Sequence, residues 1–130
     1  MRRRGEAGSA TLELAVAAPA VLALVGLVVL AGRVETAHQV VNQATEDAAR
    51  AASIARSQTS AAAEANTAAA SDLSGRDCRH WNLSLSGQVV PGGVMSARIT
   101  CTTSLGILPG SFTTSARASA VVDVFRGAVP

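Results

Sequence analysis

The sequence predicts an α+β protein: a long N-terminal helix, apolar enough at its start to span a membrane and continuing outside it, followed by a small antiparallel sheet of three to four strands. Three observations carry this expectation. Leu14 to Gly32 is a run of nineteen uncharged residues, and about twenty suffice to cross a ~30 Å hydrocarbon core. From Val34 onward apolar residues recur at alternating intervals of three and four, the seam of a helix that packs along a partner. From Trp81 onward they recur at every second residue, as in strands.

The span comes first. Pro19 lies inside it, where a membrane helix tolerates a kink or a loosened backbone bond better than a soluble one does. Arg2 to Arg4 precede the run and Arg33 alone follows it, which places the N-terminus in the cytoplasm and the chain from Arg33 onward outside. The chain carries eleven Arg, no Lys and nine acids; three of the Arg and one acid, Glu6, fall within the first eight residues, leaving eight of each sign. The basic balance therefore resides in the N-terminal tip. A nucleic-acid binder carries its basic face, with aromatic or amide readers, on the folded part. This chain has one Trp, two Phe and no Tyr, so no nucleic-acid partner is expected. An ordinary signal peptide competes for the same segment, since Val29-Leu30-Ala31 ahead of Gly32 passes for a small-residue cleavage site. Against it stand the length of the apolar run and Glu13, which sits where the basic region gives way to the apolar one.

Beyond the span, Val34, Ala37, Val41, Ala44, Ala48, Ala51 and Ala55 form the seam, while Glu35, His38, Gln39, Asn42, Gln43, Glu46, Asp47 and Arg50 occupy faces suited to water. An Ala seam permits close approach but buries little area per residue. Its partner is either another subunit or the chain's own small domain. His38 reads as a solvated side chain rather than a catalytic base. The Ala-rich segment after Ala55 favours helix, and Ser57, Thr59 and Ser60 place a fray or break near Ser57. Unbroken, a helix from Ser9 to Ala70 would be about 90 Å long. The resulting division is 1–8, a leader; 9–32, a transmembrane helix; 33–70, an extramembrane Ala-rich helix; and 71–130, a small β domain.

In that last segment Trp81, Leu83 and Leu85, then Met95, Ala97, Ile99 and Cys101, then Ala116, Ala118, Ala120, Val122 and Val124 are placed on inward faces, with turns at Gln88 to Gly93 and at Pro109-Gly110. Sixty residues so poor in aromatics are marginal alone, so the sheet is expected to lean on the preceding helix or on another subunit. Cys78 and Cys101 are the only cysteines, and an even count outside the cytoplasm points to one disulfide. A metal site built from Cys78, His80 and Cys101 has three soft ligands at a spacing that fits no zinc pattern. No Gly-x-Ser-x-Gly elbow occurs, Asp72, Asp77 and Asp123 show no pairing pattern, and Gly92-Gly93 lacks the Lys of a phosphate loop. No enzyme activity, cofactor or small-molecule substrate is expected.

A basic leader ending in Gly8, then Ser9-Ala10-Thr11-Leu12-Glu13 entering an apolar helix, resembles the type III signal of type IV prepilins. The resemblance implies a cut by a membrane aspartyl peptidase between Gly8 and Ser9, with Glu13 as the fifth residue of the mature chain. One position departs from the Flp-type pattern: Leu14 stands where a Tyr commonly follows the Glu. The whole layout, closing on Ala118-Ser119-Ala120-Val121-Val122-Asp123-Val124-Phe125-Arg126, is similar to the TadE-like pseudopilins, accessory proteins of the tight-adherence (Tad/Flp) pilus system. That family implies a single-pass membrane protein whose partners are the prepilin peptidase, other pilin or pseudopilin subunits and the pilus assembly platform. Cleavage would expose the α-amino group of Ser9, positive at neutral pH with a reference pKa near 8. The carboxylate of Glu13 then neutralises that amine, or a neighbour's, and sets the axial register between subunits, because an unpaired charge in low dielectric costs several kcal/mol. The plainer reading leaves Glu13 in the headgroup layer beside the arginines. A secreted or anchored adhesion module, with the helix as a stalk, is the alternative from another functional class.

Overall fold

The computed structural model describes residues 7–76, 78–106 and 109–125, with side chains from Leu12 onward. The chain divides into two units, Met1–Val34 and Glu35–Pro130, and helix α1 (Ala7–Ile54) contributes to both. The architecture is α+β, and the sheet has three strands.

The described residues of the first unit are helical. Pro19 is accommodated within α1, and every side chain from Leu12 to Val29 is exposed. Leu14, Val16, Leu22, Leu24, Leu27 and Val28 have no protein cover. This stretch is long and apolar enough to cross a membrane.

In the second unit α1 ends at Ile54, and α2 (Gln58–Leu73) begins after a short break. The break falls at Ser57, as the cluster of weak helix formers predicts, and its geometry explains why. Ser57 is extended (φ −144°, ψ 163°) and caps α2: the Ser60 N–H donates to Ser57 Oγ at 3.1 Å and the Ser57 N–H donates to Ser60 Oγ at 3.0 Å. This is a capping box in which a serine takes the place of the usual acid or amide.

Strands β1 (Cys78–Gly87), β2 (Val94–Ser104) and β3 (Ser111–Val121) pair antiparallel in the order β1-β2-β3. The first hairpin depends on Gly87, whose φ is +112°, and a Cβ there would lie 2.1 Å from the Val94 carbonyl oxygen. β3 stops sooner than the alternation in sequence implies. The Val122 N–H still donates to Gly93 O at 2.8 Å, but Asp123 Oδ1 then accepts the Phe125 N–H at 2.9 Å and the chain turns. Val124, placed inward by alternation, is consequently 64% exposed.

One face of the sheet meets both helices. Val41, Ala44, Ala48, Ala49, Ala52 and Ala55, with Ala61, Ala65, Ala69 and Leu73 at every fourth position of α2, are buried in one cluster with Met95, Ala97, Ile99, Cys101, Ala116 and Val122. The seam's partner is thus the chain's own sheet and second helix from Val41 onward, whereas Val34 stays 42% exposed. Two polar residues buried in this layer are satisfied within the helix: Thr45 Oγ1 donates to Val41 O at 2.6 Å and Ser53 Oγ to Arg50 O at 2.8 Å.

Candidate functional site

The residues singled out in the sequence fall into separate places. Gly8 and Ser9 lie in the first turns of α1, and Arg2 to Arg4 lie outside the described residues. Glu13 follows Ser9 by four residues of helix, which puts the two positions on one side of α1 about 6 Å apart along the axis. Glu13 is exposed, between Leu12 and Leu14, which are 72% and 71% exposed. This arrangement holds a carboxylate at the rim of an apolar rod, where it can neutralise one positive group and do little other chemistry.

The cysteines are joined: Cys78 and Cys101 form a disulfide, with their Cα atoms 5.7 Å apart. Alternation alone would put Cys78 on the face opposite Trp81, since the two are three residues apart. The register slips between Cys78 and His80, so that Cys78 pairs with Thr103 while His80 pairs with Thr102. This bulge carries Cys78 round to the inner face, where it is half-buried beside buried Cys101, and leaves His80 exposed. The three-ligand alternative is thereby dismantled, and among the described residues no group of three His, Cys, Asp or Glu is placed to hold a metal ion.

His38 does not stand alone on its polar face. Its Nδ1 lies 2.5 Å from Oγ1 of buried Thr114, a hydrogen bond that ties α1 to β3 across 76 residues of sequence. Asp72, unpaired to the eye in sequence, meets Asp47 of α1. Burial first, then the charge of Asp47 and a hydrogen bond to it, raise the Asp72 carboxyl above its ordinary value, while Arg76 pulls the other way. Neither contact leaves a signal in a single sequence, because each joins elements whose relative placement depends on packing.

A last feature is a cleft of about 340 Å³ between α1 and β3, lined by Glu46, Arg50, Arg117, Ala118, Ser119 and Ala120. It holds no paired carboxylates and no nucleophile with an adjacent base.

No curated protein and no solved structure matches the chain. The segment that carries Gly8, Glu13, the exposed apolar helix and most of the Ala seam does match a family, while α2 and the sheet lie beyond the matched stretch. Residues 8–50 match the sequence profile of the family described as TadE-like protein, the same family that the leader and the helix resemble.

Proposed function

We propose that the chain is a TadE-like minor pilin, or pseudopilin: a membrane-anchored accessory or structural subunit in the assembly of tight-adherence pili. The observation that carries this reading is the family match over residues 8–50, which begins at the glycine where the leader is expected to end and takes in Glu13 and the exposed apolar helix. In this reading residues 1–8 are a leader, 9–32 span the membrane, 33–70 continue outside it and 71–130 form the disulfide-closed β domain. The N-terminus faces the cytoplasm. The partners are the membrane, the prepilin peptidase, other pilin subunits and the assembly platform. The role is structural, with no catalysis, cofactor, nucleic acid or small-molecule substrate.

Mass spectrometry of the protein purified from membranes tests the processing step. Ser9 is the expected N-terminus, and Gly8→Leu is expected to leave the leader in place, because a side chain at the cut obstructs close approach of the protease to the backbone. An intact Met1 or Arg2 terminus in the native protein, or one at Gly32, would overturn the reading. Glu13→Ala is expected to be cleaved normally but to bring down less of its pilin partners; recovery at wild-type levels would remove the role assigned to that carboxylate.

A further inference from the structure

We propose that the free edge of β3 is a docking site for an extended, acid-bearing segment of another polypeptide, which joins the sheet as a fourth strand. The two edges of this sheet are treated in opposite ways. β1 is blunted at one end by the bulge beside the disulfide. At its other end Gln58 of α2 occupies the backbone, with Nε2 donating to Gly87 O at 3.2 Å and Oε1 accepting the Val89 N–H at 3.1 Å. Bulges and covering helices are ordinary means of protecting an edge from strand addition. β3 has neither. It pairs with β2 without a register shift from Val94↔Val121 to Ser104↔Ser111, contains no Pro and no acid, and carries one charge, Arg117. Among the described residues, no group bonds to the backbone on its outer side.

The cleft beside β3 shows where an added strand would lie. Successive strand residues point to opposite faces of a sheet, yet four consecutive ones, Arg117 to Ala120, line this cleft together. A space that both faces share is edge-on to the strand, in the position of the next strand. Its far wall is Glu46 and Arg50 of α1, and the Ala and Ser side chains of β3 leave room on the near side.

Charge selects the occupant. Arg98 and Arg117 are direct cross-strand partners on the outer face, where like charges in register oppose each other. The cleft itself carries two guanidinium groups, Arg50 and Arg117, against the single carboxylate of Glu46. Among the described residues neither Arg50 nor Arg117 makes an ion pair. An incoming strand with an acid near Arg117 supplies the missing countercharge. A second copy does not, because β3 itself has no acid to offer.

The test uses the full chain in detergent micelles and a short fluorescent peptide of alternating Thr and Val with one central Glu. Saturable binding is expected by fluorescence anisotropy. N-methylation of alternate peptide residues, which removes the hydrogen bonds along one peptide edge, should weaken it about tenfold or more. Arg117→Glu, an exposed position whose fold is checked by circular dichroism, should weaken the Glu peptide and favour a Lys peptide instead. Absence of saturable binding, or binding indifferent to N-methylation and to Arg117→Glu, would overturn the proposal. So would a dimer that the peptide dissociates, since it assigns the edge to a second copy. None of these readouts depends on how the leader is processed.

Discussion

Two stretches of α1 share one helical backbone and meet opposite surroundings. From Leu12 to Val29 the helix is rich in Leu and Val, and every one of those side chains is exposed. From Val41 to Ala52 the inward positions are mostly Ala, and Ala44, Ala48 and Ala52 are 0% exposed. The bulky apolar residues are thus the uncovered ones and the small residues form the core. The difference teaches that size and burial answer separate needs. Large apolar side chains left uncovered in a continuous stretch call for cover that this chain does not supply, a bilayer or the apolar surface of other subunits, whereas the small residues of the domain core allow its layers to approach closely.

Placing the same charge in both stretches sets them furthest apart. Leu24→Asp puts a carboxylate in the middle of the exposed stretch, at a cost of about 2.5–3.5 kcal/mol for a bilayer helix; the protein is expected to become extractable from membranes by alkaline carbonate. Ala48→Asp should leave the protein in the membrane and unfold the domain, seen as protease sensitivity. If both variants behaved alike, the contrast between the stretches would fail.

A smaller effect comes from adding bulk. Ala48→Leu overpacks the layer between α1 and the sheet and is expected to cost about 1–3 kcal/mol in urea unfolding of the domain. Ala23→Leu, the same change on the exposed stretch, should leave that transition where it is. Smaller again is the loss of the His38 contact: Thr114→Val removes the hydroxyl at nearly constant volume and should destabilise the domain by about 1 kcal/mol, with His38→Ala adding little further.

The smallest expected effect concerns Asp72. Its carboxyl holds a proton more firmly in the folded chain than in the unfolded one. Its stabilising contribution is therefore complete below the ordinary carboxylate value of 3.8 and is lost as pH rises through the folded value. Asp72→Asn should consequently raise the unfolding free energy from urea titration slightly at neutral pH, by under about 1 kcal/mol because the group is partly solvated. The gain should vanish below pH 3.8. A gain that persists in acid would assign the effect to something other than the ionisation of Asp72.

Much of this layout is legible in the sequence, and the parts that are not share a cause. The uncharged run from Leu14, the Ser57 break and the alternation at Met95, Ala97, Ile99 and Cys101 are local signals, each set by neighbours within a turn or a strand. What covers the Ala seam is not local: the same spacing serves another subunit or the chain's own sheet, and only packing decides. Cys78 shows the same limit at single-residue scale, because its face depends on a bulge that no residue type at Arg79 announces. Val124 departs from its alternation for the converse reason, since apolar alternation continues past Asp123 although the backbone has already turned. Of the candidate site, the positions of Gly8, Ser9 and Glu13 rest on motif and spacing, while the links from His38 to Thr114 and from Asp72 to Asp47 emerge only when the elements are brought together.

An alanine core also gives the domain a lopsided response to sequence drift. Truncation, the common way of damaging a core, has little to remove: Ala→Gly deletes one methyl, and its main penalty, about 1 kcal/mol, comes from the helix backbone. Growth is the hazard, because every added methylene acts as a wedge between layers set at Cβ distance. The bulkiest fully buried side chains, Met95 and Ile99, lie on the central strand facing the helices. Lineages that enlarge α1 would therefore have to shrink β2 in step, so residue sizes at Ala44, Ala48 and Ala52 should vary inversely with those at Met95 and Ile99.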